Sequence, residues 1–138
     1  MTETVQDEQS AREGELFRLL VGNITDYAII VLDGSGLIQE WPQGAQQVFG
    51  YQPEDVLGSS VGILFTDEDV HRGEPELEIE QARVTGRGED DRWLLRKDGT
   101  RFWGSGLMMP LWDDLDRLRG FVKIIRDKTA EKLQAEQE

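Results

Sequence analysis

The residue types able to do chemistry in this chain are few, and most are carboxylates. The run TDEDVHRGEPE holds Asp67, Glu68, Asp69 and the one histidine, His71. These oxygens and an imidazole could hold a divalent ion, yet a solvated acidic loop accounts for the same residues without one. The chain has no cysteine, which excludes disulfides, thiolate zinc sites and cysteinyl adducts. Serine, histidine and aspartate occur without a nucleophile elbow, a phosphate loop or metal-ligand spacing. No catalytic set and no metal site are therefore expected, and the chain reads as a non-enzyme. Asp127, Lys128 and Thr129 form a different kind of constellation. An aspartate at a strand end, followed by a threonine, can accept hydrogen bonds from the free N–H groups of a starting helix. Lys123 stands inside an apolar run, where a cation calls for a carboxylate neighbour that the sequence alone does not name.

At 138 residues the chain has room for one domain with a real core. Its 28 acids against 15 bases give a net charge of −13, which repels phosphate backbones and argues against nucleic acid as a partner. The bases are 11 Arg and only 4 Lys, a balance seen in halophilic proteins and equally in ordinary acidic ones. No apolar stretch approaches a membrane span, and the start MTETVQDEQS is acidic and polar, unlike a signal peptide. A cytoplasmic location is expected.

Positioning elements follow from periodicity. Residues 1–12 carry no apolar period and read as a disordered or frayed lead. Residues 13–25 form an amphipathic helix, with Leu16, Phe17, Leu20 and Ile24 at three- and four-residue steps. Tyr27 to Leu32 is a β-branched apolar run, hence a buried strand, and Leu37 to Trp41 is a second one after the turn Asp33-Gly34-Ser35-Gly36. Pro42 to Gly50 and Pro53 to Gly58 read as short helices, and Gly73 to Gly86 as a longer one. Arg92 to Lys97 is a strand, closed by the tight turn Asp98-Gly99. Two long strands follow within Phe102 to Asp127, joined by an acidic turn, and a helix of good formers runs from Thr129 to Glu138. Strands interrupted once by a helical block imply an α+β fold, with helices on one face of an antiparallel sheet.

Four segments in this order resemble a PAS domain: DYAIIVLDGSG (Asp26 to Gly36), WPQGAQQVFGYQPEDVLG (Trp41 to Gly58), RKDGTRFW (Arg96 to Trp103) and GFVKIIRDKT (Gly120 to Thr129). The kind resembled most is the sensory-box module of bacterial and archaeal histidine kinases and haloarchaeal transducer-like proteins. The resemblance implies a five-stranded antiparallel sheet whose concave face, with its helices, encloses a small-molecule pocket. It implies a PAS core over residues 26–127 and the start of a signalling helix over residues 128–138. Relatives commonly carry Trp-Asn where this chain has Trp41-Pro42, and proline offers no capping oxygen to the following helix.

The resemblance also assigns roles. Asp127 and Thr129 match the Asp-x-Thr motif at the end of the last strand and would be the signal junction. Leu16, Leu20 and Ile24 would form the dimer helix. A pocket would draw on Ile30, Phe49, Leu77, Trp93, Met108 and Ile125, the alternative being a fully packed core with no ligand. Gly104 and Gly106 bare one face of a strand, which suits the close approach of a ligand or a crossing helix. A covalent flavin adduct is excluded, because the stretch near Ser59-Ser60-Val61 lacks the cysteine of the Asn-Cys-Arg motif. Haem is not expected, since His71 lies ahead of the central helix that would carry its ligand. A non-covalent flavin or a small metabolite stays open. The expected role is a sensory and dimerisation module of two-component phosphorelay signalling, modulating a histidine kinase or transducer output domain of a longer parent. The alternative is a ligand-free interaction scaffold.

Overall fold

A computed structural model describes residues 2–137. Met1 and Glu138, the outermost residues of the expected lead and exit helix, lie outside the described residues. The chain runs α1 (Thr2–Asn23), β1 (Tyr27–Leu32), β2 (Ile38–Glu40), α2 (Gln43–Phe49), α3 (Pro53–Val56), a 3₁₀ turn (Val61–Leu64), α4 (Asp67–His71), α5 (Glu74–Thr85), β3 (Gly88–Leu95), β4 (Arg101–Trp112), β5 (Leu118–Asp127) and α6 (Thr129–Gln137). The five strands form one antiparallel sheet in the order β2-β1-β5-β4-β3. Among the described residues no helix is long and apolar enough to cross a membrane.

Strand alternation makes the core. Ala28, Ile30 and Leu32 of β1, Phe121 and Ile125 of β5, Phe102 and Met108 of β4, and Leu94 of β3 all point to one face and are buried. The block between β2 and β3 covers that face, contributing Ala45, Phe49, Val56, Val61, Leu64, Phe65 and Ala82. Phe49 is the hub, with Trp41 at 5.6 Å and Phe102 at 5.2 Å between ring centroids. Pro42 opens α2 through its carbonyl, which accepts from Gln46 N, and supplies no side-chain cap. The αL residue Gly50 closes the helix, its φ of 83° being one a side chain resists.

Two expectations change. The residues 1–12 expected as a frayed lead are helical from Thr2 onward. Apolar period reports a packing face, not helicity; Glu8, Gln9, Ala11 and Arg12 are adequate helix formers, and Gln9 bonds Glu13 one turn on. The third strand starts at Gly88, four residues earlier than Arg92, because its charged residues Glu89, Asp90 and Asp91 hide the pattern.

Gly44 seats α2 against the link between α1 and β1. A Cβ there would lie 2.0 Å from the Tyr27 carbonyl oxygen and 2.7 Å from that of Ile24, both backbone atoms. Gly44→Ala is expected to lower the urea unfolding free energy by about 1–3 kcal/mol, the usual cost of overpacking. Gly14→Ala, which meets nothing within 4 Å, is expected to leave it unchanged or raise it.

Candidate functional site

Lys123 sits on β5 near the middle of the sheet, points to the core face and is fully buried. A lone ammonium there would cost several kcal/mol. It is met by Glu78 of α5, in direct salt-bridge contact, and by Asp90 of β3 at 3.6 Å. Arg92 holds the same oxygen of Asp90, Nε to Oδ2 at 2.5 Å. Arg92 then reaches outward to Asp69 of α4 at 3.2 Å and Glu74 of α5 at 3.4 Å. The Phe65 ring receives both cations, Lys123 Nζ and Arg92 Cζ each 5.1 Å from its centroid.

Local sequence places each member. On α5 the sheet-facing residues are Pro75, Glu78 and Ala82, at helical steps of three and four. On β3, Asp90 and Arg92 share the inward face with Leu94. Gly106 of β4 pairs with Asp90, and a Cβ on it would come within 2.3 Å of Asp90 Oδ1. The bare face of β4 is thus filled by the protein itself. The carboxylate takes the space at Gly106, while Leu94, Ile125 and Phe102 take that at Gly104.

Two oxygens in the cluster, Glu78 Oε2 and Asp90 Oδ1, are buried without a hydrogen-bond partner among the described residues. Burial pushes the Glu78 carboxyl up to about 7; Lys123 opposes this, and the neighbouring Asp90 reinforces it. Asp90 moves the other way. Burial raises it, but Lys123, the adjoining Glu78 side chain and Arg92 together outweigh burial and hold it below the usual carboxylate value.

The second constellation is the end of β5. Asp127 Oδ1 accepts from Thr129 N at 2.9 Å and from Thr129 Oγ1 at 2.5 Å, and Oδ2 accepts from Arg96 at 2.8 Å. Thr129 Oγ1 in turn accepts from Trp103 N on β4 at 2.9 Å, and Lys128 N donates to the Trp103 carbonyl at 2.7 Å. Arg96 also donates to the Val48 carbonyl of α2. On the outer face α6 lays Lys132 over Trp103, 3.9 Å from Nζ to a ring centroid, with Trp93 edge-on beside it.

Of the six residues expected to line a pocket, Ile30, Phe49, Met108 and Ile125 meet in the core, each fully buried. Leu77 and Trp93 do not join them. Leu77 is 59% exposed, because the row through Pro75 and Ala82 passes through Glu78 instead. Trp93 alternates outward from Arg92 and Leu94 and packs on Trp103. Leu16 and Leu20 are solvent-exposed on α1, as is Ile24, which lies just past the helix end and not on it, while Val21 turns toward the body. His71 is exposed, with Nδ1 2.9 Å from the Asp67 carbonyl oxygen. Of the acidic residues beside it, Glu68 pairs with Arg101 and Asp69 with Arg92. The charge cluster itself was missed. The oddity of Lys123 was its one signal, since Glu78 and Asp90 lie 45 and 33 positions away in the chain.

A family model described as PAS domain matches residues 26–130. Two-component system protein A of Emericella nidulans is 37% identical over 128 residues, 93% of this chain and 19% of that protein. Sensor protein FixL of Bradyrhizobium diazoefficiens is 32% identical over 110 residues, 70% of this chain and 21% of that protein. The chain therefore spans about a fifth of the length of these curated relatives. Among solved structures, the PAS domain of a Colwellia psychrerythraea protein superposes with a TM-score of 0.73 at 26% identity, covering 82% of this chain and 95% of that one.

Asp127 caps α6 and ties it through Arg96 to the β3–β4 turn, so Asp127→Ala is expected to cost about 1–2 kcal/mol, as lost caps do. Hydrogen exchange should rise across Ala130 to Gln137 while β1 stays protected; unchanged exchange in α6 would remove Asp127 as its anchor.

Proposed function

The chain belongs to the PAS domain family, and on that premise we propose that it works as a non-catalytic sensory and dimerisation module within a longer signalling protein. The observation that carries this reading is the junction at Asp127. There Asp127 of the last strand, itself held by Arg96 of the β3–β4 turn, and the β4 backbone at Trp103 both bond Thr129, the first residue of the exit helix. A displacement of the sheet at that end must displace the helix or break these bonds. The output is then a population shift between two sheet–helix arrangements, passed to whatever α6 continues into. The names of the two curated relatives, a two-component system protein and a sensor protein, support a histidine kinase or a similar transducer as the output partner.

The exposed row on α1 supports a second copy of the chain as the dimer partner. Leu16 and Leu20, one helical turn apart on α1, are each 57% exposed, and Ile24 just past the helix end is 40% exposed, beside a groove lined by Phe17, Val21, Ile29, Val31 and Trp41. Two such helices side by side would bury both rows.

The scaffold reading has one observation in its favour: Ile30, Phe49, Met108 and Ile125 are wholly buried in one continuous core. A small metabolite or a non-covalent flavin would have to part those side chains. Native mass spectrometry with an ultraviolet–visible absorption scan separates the two readings. A co-purifying small molecule supports sensing through the pocket, and repeated emptiness supports the scaffold.

Replacing Leu16 and Leu20 by glutamate is expected to halve the sedimentation mass of the dimer without loss of the folded core. An unchanged mass would reject α1 as the interface.

A further inference from the structure

Beneath α5 the interior is short of positive charge. Four carboxylates (Glu78 and Glu74 of α5, Asp90 of β3, Asp69 of α4) meet three cations, Lys123 of β5, Arg92 of β3 and the exposed Arg72 just past α4. The remaining groups packed on the cluster, Phe65, Gly106 and Met108, are neutral. Two carboxylate oxygens, Glu78 Oε2 and Asp90 Oδ1, have no partner among the described residues although their side chains are only 3% and 4% exposed. Buried acceptors left without a donor are costly, and a single hydrogen placed between two of them satisfies both.

The geometry points to a proton as a ligand of this interior, shared between Glu78 and Asp90, whose arrival moves the anchor of α5 from Lys123 on β5 to Asp90 on β3. Deprotonated, Glu78 is an anion bound to Lys123, so α5 is tied to the strand that continues into the exit helix. On protonation from solvent, the neutral Glu78 carboxyl donates to Asp90, and Lys123 keeps Asp90 as its counter-ion. Nothing else need enter the core, which suits its close packing. The inference rests on the sensory reading above and supplies its input: pH within the neutral range.

The sign of the stability effect follows from Glu78. Its folded-state value is raised from 4.5 to about 7. Its contribution to stability is therefore complete below about pH 4.5 and is lost as pH rises through about 7. Asp90, held below its ordinary 3.8, loses its contribution only under stronger acid and stays outside that window.

The test is a carbon-detected NMR titration of the side-chain carboxyls in the whole chain, with backbone amides followed in parallel. The Glu78 carboxyl is expected to titrate with a midpoint near 7 instead of 4.5, and amides of α5 and of β5 around Lys123 to shift with the same midpoint. Glu78→Gln, which cannot titrate, should abolish that transition, and Asp90→Asn should lower the Glu78 midpoint. A Glu78 midpoint in the ordinary carboxylate range, a midpoint indifferent to Asp90→Asn, or β5 amides blind to the transition would each overturn the proposal. Those outcomes leave the dimer and exit-helix reading untouched, because its sedimentation test does not involve Glu78.

Discussion

An ammonium group at the centre of the sheet constrains everything around it. Lys123 is sealed from water, so its charge has to be answered inside the protein. Glu78 answers from the covering helix and Asp90 from the neighbouring edge of the sheet. That requirement fixes which face of α5 looks inward, why β4 carries glycine opposite Asp90, and why Phe65 lies between two cations. An apolar residue at this position would pack as well and tie α5 to nothing in particular. Replacing buried ion pairs by hydrophobic residues is often neutral or stabilising, so stability alone is a weak account of this cluster.

Lys123 and Asp127 lie four residues apart on β5 and share its inward face. A single strand thus carries both the interior charge and the cap of the exit helix. Asp127 meets Arg96, which reaches back to Val48 at the end of α2, so the junction also touches the helical cover. The path from α5 to α6 runs through Glu78, Lys123, the β5 backbone and Asp127. Of these links the Glu78–Lys123 ion pair has an alternative partner beside it, Asp90, and the proposed two-state behaviour rests on that pair.

Much of this was legible in the sequence. The β-branched run at Tyr27 to Leu32, the Asp98-Gly99 turn and the long hairpin announced the sheet through local periodicity and turn chemistry. The Asp127–Thr129 step was readable because a cap is a contact over two residues. The cluster was not, because pairing a lysine with a glutamate 45 residues away depends on sheet order and helix phase together. Hydrophobicity also misdirected the reading. Leu77 drew attention as an apolar residue of α5, while the helix turned Glu78 inward and left the leucine in water. Trp93 was misplaced by one step of strand alternation, since charged residues on both faces of β3 hide its period.

The claim that Glu78 and Lys123 act as one unit tying α5 to β5 is tested most directly by a double-mutant cycle. Glu78→Gln, Lys123→Met and the double variant are compared with the wild type by urea unfolding above neutral pH. The account predicts that Lys123→Met alone costs about 3–5 kcal/mol, because it strands two buried carboxylates, and that the double variant costs less than the sum of the singles by about 1–3 kcal/mol. Single-variant costs that add to within about 0.5 kcal/mol would contradict it.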